Sequence, residues 1–292
     1  MLFRSDQEEF VVLHDWLPYY SASDDGSMMV KYDAASVNGR MLGQGDPLRV
    51  RDGERVLFHI LNASATEIHW LTLPGHTFEV QALDGRPVAK RAKVEALRLG
   101  PAERISALVT MSTPGAWVLG EAREDFRRAG MGTVIEYAGQ SGKPQTASPK
   151  KLDWDYRAFG ESVPASPKPE VTIPMVFTSK FQGHGALDKW MINGKSYPET
   201  SFPTLQLGLR HRLVFENRST DDHPVHIHRH AFELVSVHGT PTGGVYKDVV
   251  VVEAGTQVGV DLVAINPGNT LFHCHQQDHM DSGFMGLFRY AS

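Results

Sequence analysis

Two histidine-rich stretches in the last quarter of the chain carry residue types that bind transition metals. The first, HPVHIHRHAF, covers residues 223–232. The second, HCHQQDHMDSGF, covers residues 273–284 and contains the single cysteine of the chain, Cys274. Imidazole nitrogens and thiolate sulfur are ligands that copper and zinc prefer in proteins. The two stretches therefore predict a metal centre in this part of the chain.

The spacing of these residues predicts two ligand sets. Side chains two residues apart share one face of an extended strand, so His226 and His228 point the same way, as do His273 and His275. Cys274 then points to the opposite face. We call these four histidines the four-histidine set. Four neutral nitrogens without a thiolate suit copper centres that handle dioxygen.

On the opposite face, Cys274 needs two further ligands, and His223 and His279 are the candidates. We call these three residues the sulfur site. A cysteine with two histidines and a weak or absent axial ligand is typical of blue copper, whereas tetrahedral zinc takes a fourth strong ligand. Copper is therefore the predicted metal.

The remaining histidines are expected to have structural roles, since a single histidine on a strand is more often surface-exposed or hydrogen-bonded than a ligand. We assign a surface or hydrogen-bonding role to His14, His59, His184, His211 and His238. We assign a packing role to His69, His76 and His230.

The elements that must position the ligands read as short β-strands. Apolar segments such as RVLFHIL, HRLVFEN and LFRYA are separated by turns rich in Gly, Pro, Asn and Asp, and no segment sustains a helical period. This pattern is typical of an all-β sandwich.

The length of 292 residues is sufficient for two domains, each with its own core. The segment 140–169 is dense in Pro, Ser, Gly and Lys, which is typical of a linker. We expect one domain over residues 1–139 and a second over residues 170–292.

The two predicted domains look like copies of each other. VNGR at 37–40 parallels INGK at 192–195, and RVLFHILNAS at 55–64 parallels HRLVFENRST at 211–220. The segments that begin at Gly115 and Gly268 align without a gap.

Only the second copy carries the ligands, whereas structural histidines should occur in both. Opposite His273, Cys274, His275 and His279 the first copy has Gly120, Glu121, Ala122 and Phe126. Opposite His226 and His228 it has Thr72 and Pro74. A metal centre is therefore expected only in the second domain.

Composition excludes two classes of partner. The net charge is −5 and the basic residues are scattered among acidic ones, so no nucleic-acid partner is expected. No apolar run approaches the length needed to span a bilayer, and the opening MLFRSDQEEFVVL lacks the features of a secretory signal.

The two motifs together resemble the C-terminal cupredoxin domain of the multicopper oxidases, the laccase-like family, whose patterns are HPxHxHxH and HCHxxxH. The resemblance implies two cupredoxin-like Greek-key β-sandwich domains in tandem, the first similar to the family's copper-empty middle domain. It implies that His223, Cys274 and His279 bind type 1 copper. By the same resemblance His226 is a type 2 ligand, and the type 3 ligands are His228, His273 and His275.

Phe284 departs from the family pattern, because many members have an axial methionine at this position. We expect Phe284 to be an axial non-ligand. An apolar, non-coordinating neighbour should raise the reduction potential of the copper by destabilising its oxidised form.

The resemblance implies one-electron oxidation of a small-molecule or metal-ion donor coupled to reduction of O2 to water. Electrons would enter at an exposed edge of His223 or His279. Cys274 would relay them to its neighbours His273 and His275, and these three are therefore the candidate catalytic residues. A periplasmic or secreted location follows from the family's usual setting.

Four of the family's eight cluster histidines are found in the chain, since the other four come from an N-terminal cupredoxin domain. The sequence resembles the last two thirds of a three-domain oxidase. We therefore expect activity to need that domain or a partner chain. Proton delivery would need an acid, and the acidic residues close in sequence are Asp221, Asp222, Asp278 and Asp281.

Two alternatives stay open. The chain could be a non-catalytic copper-binding or electron-transfer module with only the type 1 site filled, which copper stoichiometry would reveal. A two-domain nitrite reductase ranks lower. The resemblance to that class would imply a cysteine with a histidine on one side only, in the first domain, whereas Cys274 has a histidine on each side and lies in the second domain.

Overall fold

The computed structural model describes residues 4–146, 149, 151–163 and 167–291. The described residues form two compact units. The first unit comprises Met1–Tyr19, Lys31–Pro87 and Arg91–Ala158. The second comprises Tyr20–Val30, Val88–Lys90 and Phe159–Ser292. The segment Tyr20–Val30 thus groups with the second unit, which the repeat pattern did not indicate.

The predicted linker, residues 140–169, lies partly outside the described residues, at 147–148, 150 and 164–166. Its described part contains an isolated bridge between Gln145 and Trp117. It also contains a short 3-10 helix over Tyr156–Phe159. The aromatic residues Trp154, Tyr156 and Phe159 of this segment are buried.

The described residues of the first unit form two β-sheets and a short α-helix, although the end of the first strand and the start of the second extend into residues that group with the second unit. In chain order its elements are β1 (Gln7–Ala22), β2 (Met28–Val37), β3 (Leu48–Val50), β4 (Arg55–Asn62), β5 (His69–Thr72), β6 (Phe78–Leu83), β7 (Arg86–Pro87), β8 (Lys93–Val94), β9 (Ala96–Leu99), β10 (Arg104–Thr110), β11 (Ala116–Glu121), α1 (Glu124–Arg128) and β12 (Gly132–Tyr137). One sheet has the order β2-β1-β4-β10-β6-β7, with β8 beside β6, and the other has the order β3-β12-β11-β5-β9.

The second unit repeats this arrangement. Its elements are β13 (Val171–Lys180), β14 (Lys189–Ile192), β15 (Thr204–Leu205), β16 (Arg210–Asn217), β17 (His223–Ile227), β18 (Phe232–Val237), β19 (Thr240–Lys247), β20 (Val249–Val252), β21 (Gln257–Val263), β22 (Thr270–Cys274), α2 (Gln277–Asp281) and β23 (Met285–Tyr290). Its sheets have the orders β14-β13-β16-β21-β18-β19 and β15-β23-β22-β17-β20.

Both units therefore have the same strand order, with chain-distant strands as neighbours. The parallel pair β1 and β4 corresponds to the parallel pair β13 and β16. Such crossovers between two packed sheets define a Greek-key sandwich. The predicted all-β fold with two Greek-key sandwiches in tandem is confirmed.

Alternating burial explains why these segments form strands. Along β16 the residues Leu213, Phe215 and Asn217 are buried, and the residues between them are half-buried. This period of two is the pattern of a strand with one face on the core. β20, with the sequence VVVV, is buried on both faces.

The Asn-Gly turns of the repeat have the same structure in both units. Asn38 and Gly39 have positive φ, as do Asn193 and Gly194, and this backbone conformation favours Asn and Gly in tight hairpins. Asn38 Oδ1 accepts from the Val12 N–H at 2.8 Å. Asn193 makes the equivalent bond in the second unit. The short VNGR and INGK motifs thus have a shared structural cause.

A second pair of asparagines corrects the predicted alignment. Asn62 Nδ2 donates to the Glu67 and Leu99 carbonyls, and Asn217 Nδ2 donates to those of Asp221 and Val252. Asn62 therefore corresponds to Asn217. The pairing of 55–64 with 211–220 was wrong by one residue, and the structure aligns 55–64 with 210–219.

Candidate metal centre

The sulfur site assembles because β17 and β22 are neighbours and α2 follows β22. Val225 of β17 lies opposite Cys274 of β22 in the antiparallel register. His223 is the first residue of β17. The short helix α2 turns the chain back and brings His279 beside Cys274. A strand start, a strand end and one helical turn thus supply the three side chains.

The ligand atoms of the sulfur site form a small triangle. His223 Nδ1 lies 3.1 Å from His279 Nδ1, and Cys274 Sγ lies 3.7 Å from each nitrogen. The centre of such a triangle is about 2.0 Å from each corner, close to the roughly 2.0–2.3 Å of bonds from zinc to imidazole or thiolate. All three residues are buried. Their donor atoms therefore fit a transition-metal ion.

Burial sets the protonation of these groups. Burial, with a smaller contribution from His279, lowers the pKa of His223 well below its usual range. Burial lowers the pKa of His279 to about 3. Both imidazoles are therefore neutral near pH 7 and have a lone pair to donate. Burial raises the pKa of the Cys274 thiol well above its usual range, so the thiolate needs a bound cation to form.

Aromatic rings enclose the sulfur site. The ring centroid of Trp190, on β14, lies 4.1 Å from that of His279 and 4.8 Å from that of His223. The ring of Phe284 lies 4.6 Å from that of His223, and Phe177 packs on Phe284 at 4.7 Å. Phe284, predicted as an axial non-ligand, is fully buried and has only carbon atoms in its side chain. These neighbours keep the site apolar.

Ser219 forms a hydrogen bond with the His223 imidazole on the side of the ring that faces away from Cys274 and His279. Its Oγ lies 2.8 Å from His223 Nε2, while Nδ1 of the same ring faces Cys274 and His279. A proton on Nε2, donated to Ser219, leaves Nδ1 as the metal-binding nitrogen. The hydroxyl thus favours the tautomer that the site needs.

Sequence analysis missed both Trp190 and Ser219. Trp190 lies two residues before INGK, and the corresponding residue before VNGR is Ala35, so the comparison of the copies contained a signal. Ser219 lies in a turn, where its N–H donates to Asn217 Oδ1 at 2.9 Å, and its hydroxyl also contacts the site.

A cavity of about 550 Å³ opens beside His279. Its lining includes Met28, Met29, Asp188, Trp190, Asp221, Asp278 and His279, all of which belong to the second unit. His223 is 0% exposed and His279 is 7% exposed. Of the two histidines named as entry points for electrons, His279 is therefore the one that reaches this cavity.

The four-histidine set lies on the opposite face of β17 and β22. His226 pairs with His273 across the two strands, and their ring centroids are 5.7 Å apart. His228 lies 4.8 Å from His226, and His275 lies 5.3 Å from His273. Among the described residues only the sulfur site has ligand atoms that all lie within 4.8 Å of one another. The four rings are thus adjacent but less convergent.

Backbone carbonyls orient two of these rings. His226 Nδ1 lies 2.7 Å from the Asp248 carbonyl, and His273 Nδ1 lies 2.7 Å from the Cys274 carbonyl. Each Nδ1–H can donate there, which leaves Nε2 unprotonated for a ligand. Burial lowers the pKa of His226, and burial lowers that of His273 to about 4. Both rings are therefore neutral near pH 7.

The four acids considered for proton delivery fall into two pairs. Asp221 and Asp278 line the cavity beside His279. Asp222 accepts from the Ala254 N–H, and Asp281 accepts from Gln277. Two of the acids therefore lie beside the sulfur site, and the other two accept local hydrogen bonds.

Most histidines outside the two sets have local structural contacts. His76 Nε2 bonds the Tyr137 hydroxyl and His230 Nε2 bonds the Tyr290 hydroxyl, both at 2.6 Å. His211 is buried between backbone groups. Other contacts join His14 with Ala63, His59 with Ser106, His184 with Phe181, and His238 with Glu253. His69 differs, because two buried carboxylates flank it.

Comparison with known proteins shows the family of the chain. A family model described as Multicopper oxidase matches residues 166–292, and a second with the same description matches residues 8–139. The Multicopper oxidase MmcO of Mycobacterium tuberculosis is 31% identical over 263 residues, which are 87% of this chain and 50% of that protein. A laccase of Pycnoporus cinnabarinus is 23% identical and matches 97% of this chain and 63% of its own length.

Comparison with solved structures supports the fold. The crystal structure of Fet3p, described as a multicopper oxidase that functions in iron import, has a TM-score of 0.77 at 15% identity. It covers 99% of this chain and 66% of that one. The chain belongs to the multicopper oxidase family, which implies copper as its metal. It spans about half the length of the curated relatives it matches.

No helix among the described residues has the length and apolar character needed to cross a bilayer.

Proposed function

We propose that this chain carries the type 1 copper and half of the trinuclear cluster of a laccase-like multicopper oxidase. The enzyme would couple one-electron oxidation of a reducing substrate to the reduction of O2 to water. The observation that carries this proposal is the buried triangle of His223, Cys274 and His279, whose donor atoms fit a copper ion. Family membership supports the class of reaction.

Each residue has a role in the proposal. His223, Cys274 and His279 would hold type 1 copper, with Phe284 beside it as a non-ligand. His226 would bind type 2 copper, and His228, His273 and His275 would bind type 3 copper. Bound copper would supply one-electron chemistry at the sulfur site and reduction of O2 at the histidine cluster.

The polypeptide would contribute connection and shielding. Cys274 is joined by single peptide linkages to His273 and His275, so the two ligand sets share a short covalent path. A donor in the cavity would meet the edge of His279, and Trp190 and Phe284 would exclude water from the sulfur site. The electron donor would be a small molecule or a metal ion. The protein would be periplasmic or secreted.

Completion of the cluster would require four more histidines. The family uses eight, and the four-histidine set supplies four. Support comes from the geometry of this set among the described residues: His228 Nε2 and His273 Nε2 are 3.1 Å apart, but no three of its ligand atoms all lie within 4.8 Å of one another. An N-terminal cupredoxin domain or a partner chain would supply the remainder.

The test is to load the purified chain with copper(II) and record its visible spectrum and copper content. One equivalent of copper should give intense blue absorption. Cys274→Ser should abolish the colour, and His228→Ala, outside the sulfur site, should keep it. A loaded wild-type chain that stays colourless, or a colour that survives Cys274→Ser, would contradict the proposal.

The same measurement separates the second candidate, a non-catalytic electron-transfer module. The convergence of the sulfur site alone favours this candidate for the chain by itself. One copper per chain without oxygen uptake, even when the missing histidine pairs are provided, would support the module. Full loading and oxygen uptake with those pairs would support the oxidase.

A further inference from the structure

The first unit contains a counterpart of every residue in the sulfur site. Leu71 pairs with Glu121 across β5 and β11 in the register that joins Val225 to Cys274. Glu121 therefore occupies the cysteine position. His69 begins β5 as His223 begins β17, and it occupies the position of the first histidine.

The contacts of His69 match those of His223. Ser64 Oγ lies 2.9 Å from His69 Nε2, as Ser219 Oγ lies 2.8 Å from His223 Nε2. His69 Nδ1 lies 2.9 Å from Glu121 Oε2, as His223 Nδ1 faces Cys274 Sγ. The imidazole thus has the same orientation in both units.

The other corners of the site are apolar in the first unit. Phe126 of α1 has the place of His279, and its ring centroid is 5.6 Å from that of His69. His223 and His279 are 5.0 Å apart by the same measure. Met131 has the place of Phe284 and is fully buried. The first unit therefore keeps one of the two histidines, and Met131 has the backbone position of Phe284, since its N–H donates to Phe126 as that of Phe284 donates to His279.

Charge distinguishes the two sites. His69 is 0% exposed and lies between two buried carboxylates, with Asp15 Oδ2 3.0 Å from its Nε2. The other oxygen of Asp15, Oδ1, has no hydrogen-bond partner among the described residues. Two buried carboxylates need a compensating cation, because an unpaired buried charge is costly.

His69 is that cation. Burial lowers its pKa, but hydrogen bonds to Asp15 and Glu121 and their charges outweigh burial and raise this pKa to about 9. Burial raises the pKa of Glu121, but His69 and Arg123 outweigh it and lower this pKa to about 2. Arg123 adds an ion pair to Glu121 at 3.0 Å, and Glu67 is close enough to interact electrostatically with Arg123 and His69. The group is therefore charged near pH 7.

We propose that the first unit keeps the frame of a type 1 copper site in which the positive charge of the His69 imidazolium, held by Asp15 and Glu121, replaces the charge of the metal ion. This frame binds copper again once its two missing ligands are supplied. The inference uses the sulfur site as its template and to that extent rests on the proposed function.

The first experiment determines the charge of His69 without copper. The full chain is labelled with 15N-histidine, and the His69 signals are assigned from their loss in His69→Gln. Both ring nitrogens of His69 should be protonated at neutral pH, with a titration midpoint near 9. A neutral His69 ring at neutral pH would overturn the proposal, whatever metal the second unit binds.

The second experiment restores the ligands. Glu121→Cys and Phe126→His are combined in a Cys274→Ser chain, so that any copper-thiolate colour comes from the first unit. One equivalent of copper(II) should give blue absorption, and cobalt(II), which thiolates do not reduce, should give a thiolate charge-transfer band. The matched control, Phe126→His with Cys274→Ser, should stay colourless because it lacks a thiolate.

The outcomes of this experiment are distinct. A folded triple variant that is colourless with both metals would overturn the inference about the frame. A triple variant that fails to fold would leave the decision to the NMR measurement on the unaltered chain. The colour of wild-type chain with copper tests the proposed function separately, because it depends on Cys274.

Discussion

At the residue scale, the chemistry of this chain depends on what surrounds each histidine. His223 and His69 have equivalent positions and equivalent serine contacts. Aromatic rings enclose His223, and its pKa falls well below the usual range because of burial. Carboxylates enclose His69, and its pKa rises to about 9 despite burial. The same side chain is thus neutral near pH 7 in one unit and cationic in the other.

Phe284→Met should lower the reduction potential of copper bound at the sulfur site. A thioether that stabilises the oxidised ion by about 1–3 kcal/mol would lower a one-electron potential by roughly 50–130 mV. Spectroelectrochemical titration of the blue band measures this shift. Phe288→Met is the matched control, because Phe288 is equally buried but contacts Phe272 instead of the site. An unchanged potential in Phe284→Met would show that this residue has no axial role.

The charge of His69 predicts how the stability of the first unit depends on pH. Its pKa rises from 6.5 to about 9 on folding, so its contribution is complete below pH 6.5 and is lost as the pH rises through about 9. The full loss is about 3 kcal/mol. Urea unfolding of the first unit, followed by hydrogen exchange of its peptides, measures this dependence. His69→Gln should remove the alkaline loss, whereas His76→Gln should keep it. A flat profile in the wild type would contradict the prediction.

At the element scale, alternation along strands predicted much of the site. The period of two correctly placed His226 and His273 on a shared face, opposite Cys274. Long-range pairing could not be predicted from one sequence. Trp190 reaches the site because β14 pairs with β13, and residues 20–30 join the second unit without any local pattern. The one-residue error in the repeat arose because β4 has the consecutive apolar residues Val56, Leu57 and Phe58, so a shift by one residue against β16 still pairs apolar residues with apolar residues.

Gly283→Ala should damage the sulfur site through the turn that follows α2. Gly283 has a φ of +107°, and an added Cβ would collide with the Ser196 hydroxyl. The Ser282 carbonyl in this turn also accepts a hydrogen bond from the Trp190 N–H at 3.0 Å. Displacement of the turn should therefore move both His279 and Trp190. We expect a loss of about 2–4 kcal/mol in stability and weaker copper binding.

Two matched glycines control for this effect. Gly130→Ala changes the equivalent turn of the first unit, where the added Cβ would meet the Ala35 carbonyl, and should destabilise that unit while copper binding persists. Gly255→Ala has a φ of +70° and no neighbour within 4 Å, so only the cost of positive φ applies. Copper titration with thermal unfolding compares the three. Normal copper affinity in Gly283→Ala would refute the positioning role of the turn.

At the scale of the whole molecule, charge should select the donor. The net charge is −5, and the cavity beside His279 is lined by Asp24, Asp25, Asp188, Asp221 and Asp278. Cationic reductants should therefore bleach the blue copper faster than anionic ones of equal driving force, and the difference should shrink with salt.

Asp188→Asn should lower the bleaching rate with a cationic reductant by roughly twofold, because two opposite unit charges about 8 Å apart in water attract each other by about 0.5 kcal/mol. Stopped-flow bleaching measures this rate, with Glu216→Gln as control, since Glu216 does not line the cavity. Equal rates with both donor charges would exclude steering.

Copper binding should stabilise the molecule unevenly, because a ligand stabilises the state that holds it by about 2.7 kcal/mol at a concentration of 100 Kd. We expect this stabilisation in the elements that supply the copper ligands. Hydrogen exchange should therefore slow in His223–Ile227, Thr270–Cys274 and Gln277–Asp281. The corresponding elements of the first unit, His69–Thr72 and Glu124–Arg128, already have an internal cation and should change far less. Mass spectrometry of exchanged peptides with and without one equivalent of copper measures both sets together, and Cys274→Ser should remove the difference. Greater protection in the first-unit elements would place the metal at His69, and it would contradict both the copper site and the imidazolium that we assign to these positions.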